Sequence, residues 1–418
     1  MDSPQAEVVP DLPAEPIRPW SALLIRDYRL LWSIGLFSST SAQMRQVANL
    51  YQVYAISGSP LQLGLTGLFQ SLPFVFFGLF GGALADVVDR KKLMLFSQIF
   101  NLVPAFALGV LTITGAIQVW HIYVLTTMNS FVGAFGGPAQ QAMIPRIVPK
   151  THLLNAVTLN IGTQQITRLF SAVLAGLLID RIGLSNVYFV TALLFIVPIV
   201  SILSIRTSGK PEGASRRVTV RMLWEGFQFI WFQRIILALF LLDFAAVLTG
   251  YYQPLLPIFA KDVYKVGATG LGILYAAPAV GAIVGPGLLL LAGNVRRKGA
   301  VAVVAALIFG ASLALMGASP LFWMGLIAVG ILGLTDATGV AIRRTTVQML
   351  APDEMQGRAA SLISVFANGT NSLGGLVAGF AAQQMGAPHA LMLGSVLCIT
   401  FILIIVMAIP QLWRYRSV

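Results

Sequence analysis

Gly82-Ala83-Leu84-Ala85-Asp86-Val87-Val88-Asp89-Arg90-Lys91-Lys92 interrupts a chain that is otherwise mostly apolar. One apolar run opens near Leu61 and ends in this turn, and a second begins at Leu93. Two hydrophobic segments joined by a short polar tip read as a helical hairpin across a bilayer, its tip at the surface. Asp86 and Arg90 stand four residues apart, so one helical turn brings them together. The run Arg90, Lys91 and Lys92 marks the side on which the tip stays.

Composition agrees with that placement. Of the 418 residues, 57% are hydrophobic and only 10% charged, where a soluble domain carries about 25% charged residues. Mean hydropathy is +0.83. Each span needs about 20 apolar residues, so twelve spans would use roughly 240 and leave room for short loops and one longer linker. The net charge of +12 does not imply nucleic acid, because the cations sit between apolar runs, where they orient a membrane protein. The single cysteine, Cys398, excludes an internal disulfide and any cysteine-based metal cluster. His121, His152 and His389 are scattered, and no catalytic triad or phosphate-binding loop stands in the sequence, so neither an enzyme nor an ATP-driven pump is expected and no cofactor is implied.

The apolar runs predict helices at about 30–56, 61–85, 93–114, 118–142, 153–180 and 186–206, then 234–260, 268–292, 299–317, 320–343, 357–385 and 388–411. The proline-rich residues 1–28 read as a disordered cytoplasmic tail without a signal peptide. Residues 29–206 and 234–412 form two six-helix bundles, residues 207–233 a cytoplasmic linker, and residues 413–418 a short cytoplasmic tail. Within the linker, Leu223, Phe227 and Ile230 share a helical face flanked by Trp224 and Trp231, the pattern of an interfacial amphipathic helix. Loops after even-numbered runs hold the cations, including Arg146, Lys150, Arg296, Arg297, Lys298, Arg343, Arg344, Arg414 and Arg416. Loops on the other side hold Arg181, Lys261 and Lys265 alone. Under the positive-inside rule both termini are cytoplasmic.

The halves also repeat. A shift of 203 residues lays Gly136 on Gly339, Gly176 on Gly379 and Gly183 on Gly386; a shift of 205 lays Gly67 on Gly272 and Gly82 on Gly287. An even number of spans separates equivalent positions, so the repeats are parallel, and two such bundles face each other across a cavity near the bilayer midplane.

At this point the chain resembles the major facilitator superfamily: an all-α integral membrane fold of twelve transmembrane helices in two six-helix bundles. The resemblance rests on the 6+6 repeat, the central loop, and the signature of Gly82, Asp86, Arg90, Lys91 and Lys92, with Val87 and Asp89 standing where the pattern often has Arg and Gly. Ile56-Ser57-Gly58-Ser59-Pro60-Leu61-Gln62-Leu63-Gly64 and Pro138-Ala139-Gln140-Gln141-Ala142-Met143-Ile144-Pro145-Arg146 look like the enterobactin-exporter and macrolide-efflux branch. Ser171-Ala172 stands where many proton-coupled drug exporters carry Gly-Pro. The resemblance implies a gate in which Gly82 allows close helix approach, and Asp86 caps a helix or pairs with Arg90, with Lys91 and Arg146 beside it. It further implies a multi-pass inner-membrane transporter working by alternating access, a monomer whose partners are the lipid bilayer, a small-molecule substrate and, as candidate coupling ion, the proton.

Polar residues inside spans are costly and so mark candidate sites. Ser38, Ser41, Arg45, Asn49 and Gln52 form one stripe at helical spacing, with Gln43 on the same span, and Asn160, Gln164, Arg168 and Ser171 form another. Asp243 and Asp336 are the carboxylates expected well inside the spans. They read either as proton carriers or as ion-pair partners of Arg45 or Arg168. Asn368, Asn371 and Tyr251 complete a cavity suited to a large, moderately polar ligand, although Tyr251 also suits an interfacial anchor. Export of a small amphipathic molecule, such as a drug, macrolide or siderophore-like compound, is the leading expectation. A proton-coupled importer, or a lipid-translocating or non-transporting protein of the same fold, stays open.

Overall fold

The computed structural model describes residues 20–85, 87–210, 228, 231–293, 296–351 and 353–415. Its long helices are α1 (Arg26–Ser57), α2 (Pro60–Ala85), α3 (Arg90–Ile113), α4 (Val119–Ile147), α5 (Leu153–Ile182), α6 (Leu184–Ser204, interrupted at Phe195), α7 (Arg234–Gly250), α8 (Gly267–Leu291), α9 (Lys298–Ala318), α10 (Phe322–Leu350), α11 (Asp353–Met385) and α12 (Ala387–Ala408). Asp86 and almost all of the expected amphipathic linker helix lie outside the described residues. Gly82 falls within α2.

Among the described residues, seven helices are long and apolar enough to cross a membrane by length and composition: α3, α6, α7 with the turns that follow it, α8, α9, α10 and α12. Polar side chains such as Gln43 of α1, Gln140 of α4, Gln164 of α5 and Asn371 of α11 line the interior chambers and lower the hydropathy of those helices, and α2 and α3 also turn polar groups there.

Local chemistry explains where the helices stop. Gly58 takes the left-handed conformation, φ +59°, and closes α1 with an N–H bond back to the Tyr54 carbonyl; Pro60 then opens α2. A glycine bears no Cβ penalty there, and proline fits the first helical turn. The α5–α6 and α11–α12 corners use one solution twice. Gly183 has φ +84° and Gly386 φ +82°, each bonding back four residues, to Ile179 and Ala382. These are the glycines that the 203-residue shift aligns. Asp89 caps α3, its Oδ1 accepting the Lys91 N–H at 2.9 Å.

Helix α7 stops where the sequence turns to Tyr251-Tyr252-Gln253-Pro254. Two prolines, Pro254 and Pro257, remove backbone donors, and the chain continues as a short 3-10 turn, a helical turn and a π-turn, Phe259–Val263. Helix α10 runs seven residues past Arg343, where the sequence placed its end. Arg343 is only 5% exposed and belongs inside the fold, so the helix continues until Ala351, ahead of Pro352.

Helix pairs meet through small residues, as expected where lipid supplies no hydrophobic drive between helices. A Cβ on Gly281 or Gly285 of α8 would meet the carbonyls of Gly330 and Leu334 in α10. Two further crossings, α2 on α11 and α5 on α8, are equivalent. A Cβ on Gly64 would meet the Gly375 carbonyl and the Gly379 Cα, while one on Gly272 would meet the Ala172 carbonyl and the Gly176 Cα. The pairing Gly375 with Ala172 and Gly379 with Gly176 keeps the 203-residue shift. Gly64, however, plays the part of Gly272, one turn away from the Gly67–Gly272 alignment that the sequence offered.

Candidate functional site

Among the described residues, two adjoining chambers lie in the interior, with a smaller pocket of about 50 Å³ beside them that Asp243, Asp336 and Arg343 line together. The first, a polar chamber of about 470 Å³, is walled by α1 through α5 with Phe195 of α6. The second, a central chamber of about 290 Å³, is walled by α1, α5, α7, α8, α9, α10 and α11. Gln43, Gln46 and Arg168 belong to both walls and mark where the chambers meet.

The polar chamber is a surface of amides and hydroxyls. Ser38 donates to the Gln98 side chain at 2.9 Å, and Gln140, Gln141, Asn160 and Gln164 complete much of the wall. Arg45 and Arg168 are its only charged residues among the described lining. The α1 stripe read from the sequence divides here. Gln43 and Arg45 reach the chamber. Asn49 touches it but spends its amide on bonds to Thr126 at 3.1 Å and from the Tyr188 hydroxyl at 3.0 Å. Ser41 and Gln52 point into the packed helices. Ser41 donates to the Thr191 carbonyl, while Gln52 donates to Thr112 and accepts from Tyr188. Gln52 is thus a strut between α1, α3 and α6 rather than a chamber wall. On α5, Gln164 and Arg168 reach the chamber, whereas Ser171 is buried at 2% exposure.

The central chamber brings Arg168, Tyr251, Asp336 and Asn371 together. The break after α7 turns Tyr251, Tyr252 and Gln253 into its wall, so Tyr251 lines the interior and is no interfacial anchor. Tyr275 of α8 joins them, donating to the Gln253 carbonyl at 2.8 Å. Asp336 and Arg168 are both open to this space, though they sit deep in the molecule. Asn368 stands outside both chamber walls, half-buried, its carbonyl accepting a bond from Ser372.

Asp243 has a different partner from those the sequence offered. Its carboxylate lies 2.5 Å from the Arg343 guanidinium on α10, and the Arg343 guanidinium also stacks over Phe240 at 5.8 Å. The sequence offers Arg343 as a loop cation. It is a buried ion-pair partner instead, and a buried carboxylate holds it there because neither charge tolerates an apolar surround alone.

The charged turn at the start of α3 anchors the segment that follows α6. The Arg90 N–H donates to the Gly209 carbonyl at 2.9 Å and its guanidinium to the Ala142 carbonyl of α4 at 3.2 Å; Lys91 Nζ donates to the Ile205 carbonyl at 2.6 Å; Arg146 donates to the Lys210 carbonyl. All these contacts stay among the first six helices and the stretch that leaves them.

At the opposite end the helices cross over to one another. Tyr54 donates to Asp262, Lys261 sits 5.3 Å over the Tyr54 ring, and Ser59 donates to Gln383 at 2.9 Å. Asp180 of α5 accepts from the Thr269 N–H at 2.8 Å and its hydroxyl at 2.6 Å, at the N-terminus of α8, where the helix dipole favours a negative charge. With the two glycine crossings, these bonds tie α1, α2 and α5 to α8, α11 and the turns after α7 at that end.

Sequence reasoning missed Gln46, Tyr275 and Asp89. Ser39, Gln43 and Gln46 also repeat at three- and four-residue spacing, so a second polar stripe was legible beside the first. Tyr275 carried no such signal, being one aromatic in an apolar run. Asp89 stood one residue before the first turn of a helix, the ordinary place for a cap. No group of three or more His, Cys, Asp or Glu able to hold a metal occurs among the described residues.

This architecture is shared with known transporters. The nucleoside transporter NupG superposes with a TM-score of 0.70 at 12% identity, covering 93% of this chain and 99% of that one. A bacterial homologue of the lysosomal transporter Spinster, in an inward-facing conformation, gives 0.68 at 14% identity, covering 96% and 97%. Those likenesses establish the fold. The family of transmembrane secretion effectors matches residues 17–415. The chain belongs to that family and is a multi-pass membrane transporter of the major facilitator superfamily, not an enzyme. At 24% identity it is similar to macrolide efflux protein A of Streptococcus pyogenes, covering 93% of this chain and 96% of the relative. Equal identity relates it to the enterobactin exporter EntS of Shigella boydii, covering 93% of each, and to the multidrug efflux pump Tap of Mycolicibacterium fortuitum, covering 88% and 91%.

Proposed function

We propose that this chain is a secondary active exporter that carries a small amphipathic molecule across the bacterial inner membrane by alternating access. In this reading its twelve helices all span the bilayer, in two bundles of six covering 29–206 and 234–412, with linker 207–233 and both termini in the cytoplasm. The unit that works is a monomer.

The observation that carries the proposal is the central chamber. It takes walls from both sets of helices, holds Arg168 and Asp336 open to its space, and in this reading is closed at one end by the α2–α11 and α5–α8 crossings. Under the positive-inside topology that end is extracellular, so the state described here is closed to the outside. Export as the direction follows the three relatives, whose names are those of efflux proteins and an exporter. An amphipathic cargo fits because the chambers differ: amides and hydroxyls line one, and tyrosines, Phe309 and Pro278 contribute to the other.

Asp336 is the favoured proton carrier in this reading. A proton on it would cancel the negative charge that shares the chamber with Arg168, and a differential affinity of that kind is what drives a two-state transporter from one side to the other. Asp243 is committed to Arg343 and serves less well. Asp86, Gly82, Arg90, Lys91 and Arg146 form the cytoplasmic gate, engaged in the opposite state. Proteoliposomes containing the purified chain, with an imposed pH gradient and a panel of labelled macrolides and siderophores, test the proposal. Gradient-dependent movement of any of them across the bilayer is expected. Failure of every compound to move, in gradient or in exchange, overturns it.

A further inference from the structure

Arg45 is the charged group whose surroundings explain it least. It sits in the middle of α1 with 9% exposure, and no hydrogen bond or ion pair to it is present among the described residues. Its Nη1 is buried without a partner. A lone guanidinium inside a membrane protein is costly, and intramembrane arginines ordinarily pair with a carboxylate or with backbone carbonyls. Arg343 has Asp243. Arg168 shares the central chamber with Asp336. Arg45 has no such counter-charge.

An aromatic ring lies beside it. The guanidinium carbon lies 5.9 Å from the centre of the Phe195 ring, at the residue where α6 is interrupted. Stacking on an aromatic face supports the plane of a guanidinium and leaves the N–H groups in that plane free to donate. Arg45 belongs to the wall of the polar chamber, whose described lining carries two arginines and no carboxylate. The amides around it can donate to oxygen as readily as they accept. A wall with net positive charge, many donors and no acid is complementary to an anion bearing oxygen atoms.

We propose that the polar chamber binds the anionic oxygen group of the cargo (a carboxylate, an ionised phenol or a phosphate), with Arg45 as its counter-charge. This deepens the transport reading and rests on it. The aromatic walls of the central chamber then receive the apolar part of the molecule, and a cargo lacking the anion is held weakly. Macrolides, as organic cations, are poor ligands under this assignment, which sets the chain apart from one of its named relatives.

The test uses the full chain in phosphatidylcholine nanodiscs and three probes: 2-naphthoate, the uncharged 2-naphthamide of nearly the same shape, and lysophosphatidylglycerol as a lipid-borne anion. Binding is read from the thermal midpoint as a function of probe concentration, since a ligand of the folded state raises it by mass action. Expected is saturable stabilisation by 2-naphthoate or by lysophosphatidylglycerol, the responding anion identifying a soluble or a lipid source, with 2-naphthamide about tenfold weaker or more, as for loss of a charge-assisted bond. Arg45→Gln should weaken the anion by a similar factor and leave the amide unchanged, and Arg45→Lys should restore part of the difference. Should Arg45→Gln fail to fold, the naphthoate-to-naphthamide ratio on the unaltered chain and the Arg45→Lys variant decide. Equal affinity for anion and amide, or an anion affinity unchanged in Arg45→Gln, overturns the proposal. Counterflow of the same probes in proteoliposomes separates the two readings. Movement of 2-naphthamide as fast as 2-naphthoate leaves a transporter without an anion site, whereas binding of the anion without movement of any probe keeps the site and removes the transport.

Discussion

The carboxylate of Asp243 in α7 and the guanidinium of Arg343 in α10 form a largely buried ion pair at 2.5 Å. Breaking such a pair from one side leaves an uncompensated charge inside the fold, which costs about 3–5 kcal/mol. Arg343→Leu and Asp243→Leu singly should each lower the thermal midpoint in nanodiscs strongly. The double Leu variant should recover most of the loss. A double variant no more stable than either single one would remove the pair as the cause.

Asp336 lines the same chamber as Arg168 and forms no ion pair within 4 Å among the described residues. Asp336→Asn should abolish pH-gradient-driven movement in proteoliposomes while sparing exchange at zero gradient, because exchange needs the conformational cycle but no proton. Unchanged gradient-driven uptake in the variant would take the proton-carrier role from Asp336.

In the proposed reading the glycine crossings close one end of the central chamber, and neither has room for a side chain. Gly64→Val and Gly272→Val should each raise the energy of the closed arrangement by about 1–3 kcal/mol, the cost of overpacking, and shift the population roughly 5- to 150-fold. The measurement is the labelling rate of Ser59→Cys by a membrane-impermeant maleimide, in a Cys398→Ser background. The rate should rise in both glycine variants, and an unaltered rate would separate the crossings from closure.

Asp27 precedes the apolar part of α1 and accepts bonds from the Arg206 and Thr207 N–H groups and the Thr207 hydroxyl, at 3.1, 2.8 and 2.6 Å. Burial opposes its charge, but those bonds and the Arg26 guanidinium outweigh it and hold the carboxyl below its usual range. A carboxyl depressed in the folded state adds stability above its unfolded value of about 3.9, and that stability fades as pH falls through the folded value. Asp27→Asn should therefore lower the midpoint at pH 7, and the gap from the unaltered chain should close as the pH falls through the depressed folded value. A gap that stays constant with pH would mean that the charge of Asp27 plays no part.

Much of the fold could be read from Gly82–Lys92 and from glycine spacing, because lipid permits few solutions and left-handed corners demand glycine. Gly183 and Gly386 are the clearest instance. The site was legible only in part. Stripes at helical spacing mark a polar face of α1, yet they do not say whether that face meets a chamber, as Gln43 does, or a neighbouring helix, as Gln52 does. Arg343 was misread for the opposite reason: a cation near a helix end looks like a loop residue until its acidic partner, a hundred residues earlier in the chain, is known to lie beside it. Tyr275 left no trace because a tyrosine within an apolar run has no period to betray it.

Alternating access is the central claim, and the Ser59–Gln383 hydrogen bond offers its most direct test. Ser59→Cys and Gln383→Cys, combined in a Cys398→Ser background, place two thiols across the closed end between α2 and α11. Oxidation should join them, stop movement of any probe that the unoxidised variant carries in proteoliposomes, and be reversed by dithiothreitol. Movement that continues undiminished with the cross-link complete would contradict the account.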